Sequence, residues 1–310
     1  MTDFWSWAYN RGMQNPHSIP SHTHFTPNTQ HEQPNDGEFR GRVSVVVWAV
    51  VAATAVSLFV RLPGVFVIDF NALGSPISLQ ISDSLVMAAF LALLSASGTE
   101  SAIRAHPRFR RRNGGFWATW SYWALPAALS ILAVVLIPQL PTRITQAIGL
   151  LVQGVLVTVT LFALYATVDA GTPGFRRGRL VLNVLAYASA LALFLLVYQT
   201  RTRSLLSGSM VALTATLLAV ELLRSTTERR EFVLSHALVV GMVLGESTWA
   251  LNYWPLPGLT GGLFLLLIFY LIVSLAQHGL QNHLTKRVLV EFAIFAAFAV
   301  LLIAVVGPGF

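Results

Sequence analysis

The chain has 310 residues, 55% of them apolar and only 11% charged, with a mean hydropathy of +0.66. A soluble domain typically carries about 25% charged residues, so this balance excludes a soluble globular fold and makes lipid the solvent for most of the surface. The formal charge of +7 does not point to nucleic acid, because the arginines are spread over short connections between apolar runs instead of gathering on one face of a soluble module. The absence of cysteine excludes disulfides, thiolate metal sites, iron–sulfur clusters and thiol nucleophiles.

Residues 1–42 hold Pro16, Pro20, Pro27 and Pro34 among many Ser, Thr, Asn and Gln. That content is too polar to offset the entropy of ordering, and a disordered cytoplasmic tail is expected. Phe4, Trp5, Trp7 and Tyr9 have amphipathic rings suited to a membrane interface. His17, His22, His24 and His31 include a His-x-His spacing, yet nothing fixes their geometry, and neither a metal nor a cofactor is expected. The first apolar run begins at Val43 and should act as an uncleaved signal anchor.

From residue 43 to 310 the chain is expected to be one all-α domain, a polytopic bundle of about nine transmembrane helices. A helix needs about 20 apolar residues to cross the hydrocarbon core. Runs of that length lie near 43–60, 76–98, 117–137, 146–166, 180–198, 205–223, 233–253, 259–276 and 288–306. They exclude a β-barrel, the other spanning solution. Ser75 followed by Pro76 supplies an N-cap hydroxyl and a residue preset for a first helical turn, so the second span is expected to start there. Toward its other end Glu100 and Arg104 stand at i,i+4.

Orientation follows from the basic residues, which resist translocation. Sixteen Lys and Arg fall on the tail and alternate connections, at 104–112, 176–179, 224–230 and 286–287 among them, and four (Arg61, Arg143, Arg201, Arg203) on the others. The N-terminus is therefore expected in the cytoplasm and the C-terminus outside. No internal repeat is evident.

Carboxylates in hydrocarbon are costly and so informative, and two fall inside the expected spans. Asp83 lies seven residues past Pro76 and Glu246 eight before Trp254, each about 10–12 Å below the outer helix end at 1.5 Å per residue. Gln153, Gln80, Ser247 and Thr248 fall near the same level, and Asp83, Gln153 and Glu246 form a candidate polar or ion site. The plainer alternative is that each is protonated and hydrogen-bonded to a neighbouring helix. Gly241 and Gly245 make a small-xxx-small face for close helix packing, and Trp249, Tyr253 and Trp254 an interfacial belt. An ion pair of His236 with Glu221 is expected near the cytoplasmic end.

Several activities lack their residues. The only lysine, Lys286, sits at a boundary and cannot carry a retinal Schiff base. Ser207 and Ser209 fall on the opposite side from His236, so no serine protease dyad forms. His278 and His283 do not have the i,i+4 spacing of a helical zinc pair. A phosphate loop and a TVGYG-type filter are missing. Asp69, in the first outer loop, leaves a thin case for a lipid-linked glycosyltransferase.

The stretches Gly98-Thr-Glu100-Ser-Ala-Ile-Arg104-Ala-His106-Pro107 and Glu246-Ser-Thr-Trp249-Ala-Leu-Asn252-Tyr-Trp254-Pro255, with Phe269-Tyr270, resemble segments of uncharacterised multi-pass bacterial membrane proteins. The resemblance implies a bacterial cytoplasmic membrane and carries no functional residue with it. The leading expectation is a non-enzymatic scaffold or accessory component, in contact with the bilayer and a membrane protein partner but no nucleic acid. A small-solute or ion transporter using Asp83 and Glu246 is the alternative, and the glycosyltransferase a weaker one.

Overall fold

A computed structural model of the protein describes residues 36–60, 66–72, 75–81, 83–111, 119–169, 174–200, 204–227, 229–253, 258–281 and 285–306. Helix α1 runs Asp36–Ser57 and is followed by strands β1 (Phe66–Ala72) and β2 (Ser75–Ile81). Then come α2 (Asp83–Arg104), the short α3 (Pro107–Arg111), α4 (Ala124–Leu136), α5 (Arg143–Ala166) and α6 (Phe175–Thr200). The order closes with α7 (Ser204–Leu223), α8 (Arg230–Asn252), α9 (Gly258–Leu280) and α10 (Lys286–Val306). Single 3-10 turns flank α4 at Trp120–Tyr122 and Ile137–Gln139.

Seven of these segments are long and apolar enough to cross a membrane: Gly37–Ser57, Asp83–Arg104, Trp120–Gln139, Arg143–Ala166, Phe175–Val197, Arg230–Asn252 and Leu259–Leu280, with Gly208–Leu223 a shorter apolar helix. The protein is thus a helical, multi-pass membrane protein. The α4 segment is 61% buried inside the protein against 28–44% for the other six. It is the central helix, and every residue from Ala124 to Ser130 is enclosed. The outer helices bury one face, through Leu161, Leu182, Phe194, Leu218 and Phe269 among others, and leave Trp48, Leu151 and Phe298 exposed. In water such a surface would be an aggregation liability; in lipid it is the expected one.

One expectation about the second span fails. Ser75-Pro76 opens β2 and not a helix, because the apolar residues on either side recur every second position, the strand period. Phe66↔Ile81, Ile68↔Leu79 and Phe70↔Ile77 are register partners that alternate with Val67↔Gln80, Asp69↔Ser78 and Asn71↔Pro76. The register leaves two residues between the strands, and Pro76 is tolerated because a two-stranded ribbon has edges that need no donor. A hairpin thus joins α1 to α2 within a domain that is otherwise helical. Helix α1 also starts at Asp36, seven residues ahead of the expected tail boundary. Arg42 Nη2 donates to Glu38 at 2.7 Å and Phe39 stacks on Tyr165 at 3.8 Å, which anchors that first turn. The aromatic and histidine positions before residue 36 lie outside the described residues.

Successive helices alternate in direction, as the contacts at their ends establish. At one end Arg42 of α1 donates to Ser101 O of α2 at 2.9 Å, Arg108 beyond α2 to Val168 O after α5 at 2.7 Å, and Gln277 of α9 to Leu222 O of α7 at 3.2 Å. At the other, Arg143 of α5 sits over the Phe59 ring beyond α1, 5.4 Å from its centroid. The first end collects the basic connections. Helix α5 starts cleanly at the second end, where Thr142 and Thr145 form a reciprocal capping box.

The tightest pairing is α7 with α8. A Cβ on Gly241 would lie 2.0 Å from Thr216 Oγ1 and 2.6 Å from Ala212 O, and one on Gly245 3.1 Å from Gly208 O. Only glycine allows these two backbones to approach so closely.

Candidate functional site: an arginine-lined cavity

Two helix ends bring arginine to one point at the basic end. Arg224 closes the last turn of α7, Arg179 lies in the second turn of α6, and both reach Glu221, whose side chain is fully buried. Arg224 Nε donates to Glu221 Oε1 at 2.8 Å and Arg179 Nη1 to the same oxygen at 3.3 Å. Arg179 also donates to Glu221 O at 3.1 Å and to Leu222 O. These carbonyls belong to the last turn of α7 and have no partner within their own helix, so the guanidinium caps the helix while neutralising the acid. Glu221 Oε2 accepts no hydrogen bond.

Arg224 is held from two further sides. Its Nη2 donates to Thr167 Oγ1 at 2.9 Å, and its guanidinium carbon stands 4.4 Å from the Tyr122 ring centroid. Around this post opens a cavity of about 430 Å³ lined by Arg108, Arg179, Arg224 and Arg230, the hydroxyls of Ser121, Thr167, Ser225, Thr226 and Thr227, and the rings of Phe109, Trp120, Tyr122 and Phe175. The volume is that of a small-molecule site. Two carboxylates pair with its guanidiniums: Glu221 behind the wall, with Arg179 and Arg224, and Asp169, whose Oδ1 lies 3.7 Å from Arg108 Nη1. Among the described residues no carboxylate, imidazole or amine lines the cavity itself.

Beside it His106 is nearly buried, with Nε2 3.6 Å from Asp169 Oδ2 and its ring edge-on to Tyr165. Burial pushes its pKa below the ordinary value; Asp169 works against that and the Arg108 charge with it. One turn up α2, Glu100 pairs with Arg104 as the i,i+4 spacing foretells, and its Oε2 accepts from Thr119 Oγ1 and, at 2.8 Å, from Trp123 Nε1. The segment leading into α4 is thereby fixed to α2.

The residues singled out from the sequence lie elsewhere. Asp83 is the first residue of α2 and not seven residues inside it, and its Oδ1 accepts from Ser84 N at 2.8 Å. Gln153 is buried in α5 and donates to Thr54 Oγ1 of α1 at 2.9 Å, while its Oε1 accepts nothing. Glu246 is exposed on α8, and Thr248 is buried with its hydroxyl turned back to Leu244 O. Helix α2 borders α1 and α4, whereas α8 borders α7 and α9. Asp69 and Gln80 fall in β1 and β2. Glu221 takes its charge partners from Arg179 and Arg224; His236 instead places Nδ1 2.7 Å from Phe232 O of its own helix. An arginine three residues along the same helix outcompetes a histidine on the next.

Nothing in the sequence groups the arginines of this cavity, each of which reads as a topology signal. One signal was available: Glu221, an acid one turn inside an apolar helix, with Arg224 at i+3.

Residues 62–306 match the profile of DUF5656, described as a protein of unknown function. Neither the curated proteins nor the solved structures contain a match to the chain.

Proposed function

The chain belongs to the DUF5656 family of unknown function, and from that premise we propose that it is a non-enzymatic component of a bacterial cytoplasmic membrane that holds a phosphate-bearing anion at its basic end. The observation that carries the proposal is the lining of the cavity: the guanidiniums of Arg108, Arg179, Arg224 and Arg230 converge on it together with five serine and threonine hydroxyls. Arginine presents a planar fork of donors that matches phosphate oxygens in pairs, and the serine and threonine hydroxyls extend that donor set. The aromatic wall suits the less polar part of such a ligand.

A binding role is favoured over catalysis because, among the described residues, the lining offers no group able to exchange a proton near neutrality. Nine spans with the N-terminus inside and the C-terminus outside complete the proposal. Their support is that the basic connections gather at the cavity end, and basic residues tend to stay on the cytoplasmic side. There it meets soluble phosphates and anionic headgroups alike.

The test is the unfolding midpoint of purified full-length protein with pyrophosphate, or with phosphatidic acid in nanodiscs, against chloride at equal ionic strength. A ligand at a hundred times its dissociation constant stabilises by about 2.7 kcal/mol. The double variant Arg108→Gln/Arg230→Gln should abolish the gain while leaving the Glu221 pairing intact. No shift with either phosphate source would remove the proposal.

A further inference from the structure

Glu246 presents a problem that the cavity does not solve. It belongs to α8, 23 residues long, hence about 34 Å at 1.5 Å per residue and slightly longer than a hydrocarbon core of about 30 Å. It sits six residues before the last helical residue, Asn252, about 9 Å from that end and so well inside the hydrocarbon. Side chains on a helix lean toward its N-terminus, so the carboxyl is aimed toward the middle of the bilayer and away from the nearer interface.

The side chain is exposed, on the outward stripe that also carries Met242 (63%), Trp249 (57%) and Tyr253 (77%). Among the described residues it has no hydrogen bond and no ion pair. An acid facing lipid without a partner is expensive, whereas an acid facing a basic group of another helix is an anchor. Met, Trp and Tyr around it are the residue types that concentrate at the centres of interfaces.

Among the described residues, a second copy of this chain offers no countercharge at that depth. Among the described residues the basic group nearest that level is Arg143, at the very start of α5 and over the Phe59 ring. No Lys, Arg or His is described within a span at Glu246's depth. We infer that the outward face of α8 is the docking surface for a transmembrane helix of a different protein, one carrying a lysine or arginine about two turns from its end to meet Glu246. The inference is independent of the anion cavity, which lies at the opposite end of α8.

The experiment measures energy transfer between labelled full-length protein in vesicles and synthetic leucine-rich transmembrane helices, one with a single lysine two turns from its end and one with norleucine there. The lysine helix should associate about three- to ten-fold more tightly, the range of one interhelical polar contact in a membrane, and Glu246→Gln should reduce it to the norleucine level. Because the two helices are compared on the unaltered protein, the first comparison stands even if the variant folds poorly. Equal binding of both helices, or retention of the lysine preference in Glu246→Gln, would overturn the inference. Glu246-dependent self-association without a lysine preference would overturn it too, in favour of a second copy.

Discussion

Arg224 Nε lies 2.8 Å from Glu221 Oε1, three residues apart on the last turn of α7, with the acid wholly inaccessible and the arginine side chain only 7% exposed. The pair is not a surface ornament. Arg179 joins it from α6 and Gln277 from α9 reaches the neighbouring carbonyl, so one carboxylate organises three helix ends. Breaking a buried ion pair from one side costs about 3–5 kcal/mol, because the surviving charge is left uncompensated.

Glu221→Gln should therefore destabilise the protein by about 3 kcal/mol or more, since two guanidiniums would then face each other without an anion. Pyrophosphate should recover part of the loss by standing in for the carboxylate. Unfolding midpoints of the variant with and without pyrophosphate check both statements, and a loss below about 1 kcal/mol would place the pair among weak surface bridges.

The glycines of α8 give a steric prediction. Gly241→Ala forces a methyl to within 2.0 Å of Thr216 Oγ1 and 2.6 Å of a backbone oxygen, Ala212 O. The hydroxyl can turn away but the backbone cannot, so α7 and α8 must separate, at a cost of about 1–3 kcal/mol. Gly41→Ala, with nothing within 4 Å of the added carbon, should instead be neutral or stabilising by up to about 1 kcal/mol through helix propensity. The two variants compared by thermal inactivation in detergent separate packing from propensity.

What the sequence makes legible follows from which forces act locally. Spans are legible because about 20 apolar residues satisfy the bilayer wherever they occur, and the small-xxx-small spacing at Gly241 and Gly245 because it lies on one helix. The hairpin at 66–81 escapes because Ser75-Pro76 carries a genuine helix-start chemistry that the period-two pattern around it overrides. With the helix start displaced, the depth assigned to Asp83 goes too. The arginine cavity escapes for a different reason: Arg108, Arg179 and the pair Arg224 and Arg230 come from three separate connections, and nothing in their spacing tells that the helix ends meet.

Gln153 and Thr54 offer an asymmetric test. Gln153 Nε2 donates to Thr54 Oγ1, and Gln153 Oε1 is already without a partner. Gln153→Leu removes the bond together with the orphaned oxygen, and its cost should stay within about 1 kcal/mol. Thr54→Val keeps the whole amide buried with neither end paired and should cost more, about 1–3 kcal/mol. Adding Gln153→Leu to Thr54→Val should then restore stability. An order reversed between the two single variants would show that the amide finds another partner.

The last prediction concerns pH. His106 is buried, Arg108 N–H donates to its Nδ1 at 3.3 Å, and its pKa is lowered chiefly by burial, with Asp169 opposing and Arg108 reinforcing. The folded protein therefore disfavours the charged ring relative to the unfolded chain. Below the ordinary value of 6.5 the unfolded chain binds a proton that the folded protein does not, so stability must rise with pH through that window and fall as the solution is acidified from 6.5 toward the depressed value. Each unit of depression contributes about 1.4 kcal/mol at most. The unfolding midpoint followed from pH 7.5 to 5 should drop in the unaltered protein, and His106→Gln, which keeps a polar side chain but cannot titrate, should flatten that part of the profile. An unchanged slope in the variant would assign the acid sensitivity to some other group.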